Sequence, residues 1–246
     1  TINLLIGLNN KNYFRQDKTM AIIFWDFDGT LAYSNHLWST TVYNSLKEAA
    51  PNSKIEFPQI RKCMANGFTW HTPNENHRDL IGNQWWEYMN NKIALDYISL
   101  DIDEKTASKA AQLVRKNIKN IKNYTLYTDS IQALNKAIEK DHTNVLLSNN
   151  YPDLDEVLEN LDLIKFFDNL IISANYGYDK PRKELFEIAK SLYPNQDYIM
   201  VGDNINADII GAKNSGIKTV LVHKGYNSIA DYCADSLIDI FDLINI

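Results

Sequence analysis

The chain is predicted to fold as an α/β protein, a Rossmann-like doubly wound parallel sheet of about five strands with an all-α domain inserted near its start. Three observations support this reading. Short apolar runs recur at Ile22-Ile23-Phe24-Trp25, Asn144-Val145-Leu146-Leu147-Ser148, Leu170-Ile171-Ile172, Tyr198-Ile199-Met200-Val201 and Thr219-Val220-Leu221-Val222. They do not alternate with polar residues, so both faces of each strand are buried, as in a parallel sheet covered by helices. The stretches between the later runs have helical spacing, and strand, helix and strand in succession make parallel neighbours. Between the first and second runs, the pattern stays helical for about ninety residues.

In chain order, residues 1–19 hold Asn9, Asn10, Asn12, Arg15, Gln16, Asp17 and Lys18. They read as an N-terminal extension outside the fold, with neither the length nor the basic leader of a signal peptide. The core is expected over 20–33 and 124–246, and the helical domain over 34–123, with hinges near 31–35 and 121–126. Within the insert, Trp38, Val42 and Leu46 recur at i, i+4 and i+8. Trp85, Trp86, Met89, Ile93 and Tyr97 form a second stripe, and Ala107, Ala110, Ala111, Val114, Ile118 and Ile121 a third. Pro51, Pro58, Gly67 and Pro73 punctuate them. In the core, Asp129-Ser130 is placed to cap a helix that turns Ile131, Leu134 and Ile138 inward. Further helices are expected at 153–161, 182–192 and 205–214, and Ile238, Ile240, Phe241 and Leu243 suggest a closing one.

With 25 basic and 31 acidic residues the net charge is −6, which disfavours a nucleic-acid backbone as partner. No run approaches the ~18 apolar residues of a membrane span. Cys63 and Cys233 match no zinc spacing and read as buried thiols in a reducing compartment, so a cytoplasmic protein is expected; either a monomer or a homodimer is compatible with the sequence.

The strand ends carry the chemistry. The first run ends in Asp26-Phe27-Asp28-Gly29-Thr30, two carboxylates one residue apart where ligands collect in open α/β sheets. Side chains at i and i+2 share a side of an extended chain, so the two acids call for a divalent cation. Ser148-Asn149-Asn150 brings a hydroxyl and free backbone N–H groups to a second strand end, either for an anion or as an ordinary turn. Lys180 precedes Pro181, which at a helix's first position would hold the lysine extended, ready for an oxyanion or simply for solvent. Asp203 follows Gly202 at another strand end and suits Mg²⁺, which takes oxygen ligands and keeps several waters. Asp208 is a second ligand, an acid orienting Asp203 or Lys180, or a helix N-terminal charge.

Asp-x-Asp-Gly-Thr, then a strand ending in Ser, then Lys before a helix, then Gly-Asp-x-x-x-x-Asp resembles the four motifs of the haloacid dehalogenase-like (HAD) superfamily, in order, in its phosphatase form. The resemblance spans residues 20–246 and implies a helical cap inserted after the first motif. It implies that Asp26 is the nucleophile, forming an aspartyl-phosphate, and that Asp28 is the general acid and then base, held by Thr30. Ser148, Asn149 and Lys180 would bind the phosphoryl group. Mg²⁺ would be held by Asp26, the Asp28 carbonyl and Asp203, with Asp208 as a ligand or behind one. An acid at position 28 favours phosphate esters over carbon–halogen bonds, because an alkoxide leaving group needs a proton and a halide does not.

The expected function is thus Mg²⁺-dependent hydrolysis of a small phosphorylated metabolite. A phosphomutase using the same motifs and a noncatalytic binding protein on this fold are the alternatives. In the insert, Phe68 to Arg78 is rich in aromatic and hydrogen-bonding groups. There Trp70, His71 and Arg78 either reach over the site to grip the substrate, or Trp70 packs in the insert and the rest is a solvated loop. Tyr33 and Asn35 are expected to line the hinge. His71, Glu75 and His77 fall short of a zinc site, which wants four well-placed ligands.

Overall fold

The strand order determines where a ligand can approach. In the computed structural model, which describes residues 20–244, the central strand is β1 (Ala21–Trp25), flanked by β4 (Thr143–Ser148) and β6 (Asp197–Gly202). Beyond them lie β5 (Asn169–Ile172) on one side, and β7 (Lys218–Val222) and β8 (Tyr232–Ala234) on the other. All neighbours run parallel. The chain builds one side of β1 through β4 and β5, then crosses to build the other through β6, β7 and β8, and this change of direction opens a crevice at the carboxyl end of β1. Trp25 is level with Leu146 and Val201, so the residues that follow these three emerge together at one edge.

Among the described residues the sheet has six strands, against about five expected. The additional edge strand, Tyr232-Cys233-Ala234, is only three residues long, so its sequence carries no periodic signal. The uninterrupted apolar strands are explained by cover on both faces. Ile23 and Trp25 enter one core and Ile22 and Phe24 the other. The second core packs against α7 (Lys183–Ser191) and α8 (Gly211–Asn214).

Several helices differ locally from expectation. The turn over Ile205–Ile210 is π-helical and leads into α8. α5 (Ser130–Glu139) buries Ser130, Ala133, Leu134 and Ala137, while Ile131 and Ile138 are 45% and 48% exposed. Its inward face is rotated because the small alanines permit close approach to the sheet. Asp129 does not cap α5; its Oδ2 accepts from the Leu237 and Ile238 N–H groups and so ties down the approach to α9 (Ile240–Leu243). α6 (Leu154–Asn160) lies where a helix was expected.

The insert contains α1 (Leu37–Ala49), α2 (Phe57–Cys63), α3 (Asn83–Ser99) and α4 (Glu104–Ile118). α2 opens with a capping box between Glu56 and Gln59, and the Asp103 side chain caps α4 by accepting from Thr106 N–H. α4 packs on α1 and α3, burying most of the three predicted stripes, with Trp85 and Trp86 inside; Trp38 is only partly buried, and Ile121, beyond the end of α4, is 42% exposed, against expectation. The two ends of the insert meet where β2 (Ala32–Tyr33) pairs antiparallel with β3 (Thr125–Leu126), with Tyr33 packed on Tyr127. Cys63 and Cys233 are free but only half-buried, a correction to the buried thiols expected; Cys233 Sγ accepts from Asn227 N–H. No helix of the described residues is long and apolar enough to cross a membrane. The proposed extension at 1–19 lies outside the described residues.

Candidate active site

Asp26, Asp203 and Asp208, remote in sequence, present carboxylate oxygens within 4.8 Å of one another at the carboxyl edge of the sheet. Two glycines make this possible. Gly29 turns at φ +85°, and a Cβ there would fall 2.5 Å from the Asp203 carboxylate. A Cβ on Gly202 would fall 2.3 Å from Asp208 Oδ2. Each Asp–Gly or Gly–Asp pair in the motifs thus places an acid and clears the space for another.

Lys180 is 2% exposed, and all its ammonium protons are engaged. Nζ donates to the Leu147 carbonyl at 2.7 Å and to Asp208 Oδ1 at 2.6 Å, and pairs with Asp26 Oδ1 at 2.9 Å. Burial works against its charge, but Asp208 and Asp26 outweigh burial and raise its pKa. Burial also raises Asp208, with Lys180 pulling the other way. Both partners therefore shift upward, and with one ammonium between two carboxylates it is the retention of charge by Lys180 that the geometry supports. The lysine is a fixed counter-charge on Asp26, and it lines the cavity beside Asp26, Asp28 and Asp203. Pro181 also differs from expectation, since α7 begins at Lys183 rather than at the proline.

Asn149 holds the lysine's backbone, donating from Nδ2 to the Lys180 carbonyl at 2.9 Å and accepting from Lys180 N–H at 2.7 Å. Its side chain is therefore a brace on Lys180, and the anion role expected of Asn149 rests on its backbone N–H. Ser148 Oγ is buried and has no hydrogen-bond partner, a hydroxyl available at the strand tip. Thr30 was expected to hold Asp28, but its Oγ1 is buried and without a partner. Asn150 takes that role, donating from Nδ2 to Asp28 Oδ2 at 2.7 Å. Sequence reasoning found only backbone N–H groups in Asn149-Asn150; the second Asn of the pair was the available signal.

Burial, with help from Asp26, lifts the Asp28 carboxyl from 3.8 to about 7, against the Asn150 hydrogen bond. Burial and Asp26 also raise Asp203, which pairs with Lys224 at 3.1 Å. Lys224, 51% exposed on its side chain, went unnoticed in the sequence because nothing marks it off from other surface lysines. Four acids thus converge on one buried lysine and one exposed lysine. This excess of oxygen ligands and negative charge fits a divalent cation, with Asp26, Asp203 and Asp208 offering carboxylates.

Two cavities meet here. One, of about 290 Å³, is lined by Asp26, Asp28, Lys180, Asp203 and Asp208 among others; a neighbour of about 460 Å³ runs from Asp28 toward the insert. Asp28, Trp70 and Asn149 border both. Trp70 combines the two expectations for it, packing on Phe68 at 4.7 Å while lining the site. His71 lines the larger cavity; Arg78 borders neither, and its backbone lies against Gly177. His77 bonds within its own loop, to Thr72, rather than toward a metal. Trp38 and His36 also line the larger cavity and were not singled out as site residues, since their spacing reads only as helix α1.

The chain belongs to the haloacid dehalogenase-like hydrolases, whose family model matches residues 20–243. A glyceraldehyde 3-phosphate phosphatase of Pyrococcus furiosus is 24% identical over 92% of this chain and 94% of its own length. A phosphoserine phosphatase of Thermus thermophilus is 31% identical, over 48% of each chain, so the match spans about half of that relative. The fold is similar to that of the HAD-hydrolase YfnB from Bacillus subtilis bound to magnesium, with a TM-score of 0.69 at 17% identity, covering 93% of this chain and all of that one.

Proposed function

We propose, from this membership and the site it surrounds, that the protein is a Mg²⁺-dependent phosphatase that hydrolyses a small-metabolite phosphomonoester through an aspartyl-phosphate. The observation supporting this most directly is the position of Asp28. Its carboxyl lies where the charged cavity meets the neutral one, between the place for a phosphoryl group and the place for its leaving group.

Asp26 attacks phosphorus, and Lys180, fixed on Asp26 Oδ1, orients that carboxylate and offsets charge around it. Asp26, Asp203 and the Asp28 carbonyl would hold Mg²⁺, which would supply neutralisation of the phosphoryl oxygens. Asp208 steadies the ammonium of Lys180 from behind. The Ser148 hydroxyl donates to a phosphoryl oxygen. Asp28, protonated up to about pH 7, gives its proton to the departing alkoxide and then takes one from the water that opens the aspartyl-phosphate. Asn150 aims that carboxyl throughout. The insert, residues 34–123, serves as the cap that closes over the larger cavity.

The test is release of inorganic phosphate from p-nitrophenyl phosphate. Asp26→Asn should lower kcat by on the order of 10⁴ or more, and EDTA should silence the wild type until Mg²⁺ is restored. Turnover that survives either change overturns the reading.

A further inference from the structure

The neutral cavity is informative about what leaves. At about 460 Å³ it falls in the range of roughly 300–1,000 Å³ that drug-sized ligands fill, and a three-carbon leaving group would leave most of it to water. Its wall is aromatic: Trp38, Phe68 and Trp70, with His36 and His71 at its sides. Trp38 and Trp70 are partly exposed, and each packs on Phe68 at 4.7 Å. The buried Trp85 backs both, at 5.9 Å from each. A wall held this way loses little freedom when a ring is laid against it.

Charge narrows the choice further. No lysine or arginine lines this cavity. Lys92, whose ammonium stands 6.0 Å from the Phe68 ring centre, is committed to Asp96 and the Cys63 carbonyl. Burial and Lys92 together lower the pKa of His71, which favours its neutral form. A carboxylate or a second phosphate here would lose water and gain no cation. Hydroxyls and ring nitrogens would instead find Ser34, Ser39 and His36.

We infer that the leaving group is uncharged and carries a planar aromatic ring, as in a nucleoside 5′-monophosphate, with Trp38 and Trp70 selecting for the ring. This rests on the phosphatase reading for its chemistry, but not for its binding. The same absence of a second cationic subsite disfavours a phosphomutase working through a sugar bisphosphate.

The experiment has two arms on the full chain with Mg²⁺. Calorimetric titration of Asp26→Asn protein with uridine 5′-monophosphate, ribose 5-phosphate, phosphoserine and ribulose 1,5-bisphosphate reads binding without turnover. The nucleotide should bind about tenfold or more tighter than ribose 5-phosphate, the increment expected of one stacked base, and the two charged esters more weakly still. Phosphate release by the wild type should rank kcat/KM in the same order, and Trp38→Leu should lower the nucleotide-to-ribose-phosphate ratio by most of that factor. Equal or reversed preference in the titration overturns the inference, whether or not phosphate is released. A nucleotide preference in binding with no turnover of any ester would sustain it and defeat the phosphatase reading instead. If Trp38→Leu does not fold, the wild-type comparison still decides.

Discussion

The carboxyl edge of the sheet and the helical insert bury side chains for opposite reasons. At the edge, Asp208 and Lys180 are almost wholly removed from water, and Asp26, Asp28 and Asp203 crowd beside them. Burial raises the pKa of three of these acids, so the fold pays in stability to keep charge concentrated. The insert buries Trp85, Trp86, Met89, Ile93 and Tyr97, whose transfer from water stabilises it, and Tyr97 satisfies its hydroxyl on the Val42 carbonyl at 2.6 Å. One region is held in tension for chemistry, the other is relaxed. A substitution should therefore damage function and stability together at the edge, and separately in the insert.

The largest effect should come from Lys180→Met. Removing the ammonium leaves Asp26 and Asp208 buried without their shared counter-charge, which costs about 3–5 kcal/mol, and phosphate release should vanish with it. Urea denaturation and the phosphate assay on one preparation would check both; a variant of wild-type stability would break the contrast. Trp86→Ala should lose a similar ~3–5 kcal/mol by opening a cavity, yet retain measurable turnover wherever it remains folded, since Asp26 and Asp28 are untouched.

Removing metal should expose the tension at the edge as a pH effect. Asp28 holds a proton in the folded chain up to about pH 7 and in the unfolded chain only to about 3.8, so the folded state binds more protons between those values. Its stabilising contribution is complete below about pH 4 and is lost as pH rises to about 7. In EDTA, Tm should fall across that window, by about 2–4 °C for each kcal/mol lost, and Asp28→Asn should flatten the fall. A Tm that rises from pH 5 to pH 7 in EDTA would contradict the raised carboxyl. The smallest effect is expected at Lys224. Its exposed ammonium competes with a cation for Asp203, so Lys224→Ala should tighten Mg²⁺ binding only about two- to fivefold, read from the Mg²⁺ dependence of kcat/KM.

Legibility in the sequence follows the same division. The strands of the core and the stripes of the insert could be read because burial on two faces, or on one helical face, leaves a periodic trace over several residues. Glycine beside each acid was legible too, but not that each glycine clears space for a remote carboxylate, since that is an approach between segments. The details that misled were those decided by a single contact. Asp129 reaches Leu237 and Ile238 rather than capping its own helix, and Asn150 displaces Thr30 as the partner of Asp28. Ile131 and Ile138 face outward because Ala133 and Ala137 take the inward positions, a rotation that spacing alone does not reveal.

By itself, then, the order of residues determined the strands, the helical insert and which acids stand at strand ends, since these follow from local periodicity and backbone sterics. The tertiary structure decided who meets whom: Lys180 as a counter-charge instead of a free cation, Asn149 as its brace, and Trp38 beside Trp70 over a cavity without a lysine or arginine. Those choices depend on distances between segments remote in sequence, from 28 residues apart upward, and such distances exist only once the sheet register and the packing of the insert have set them.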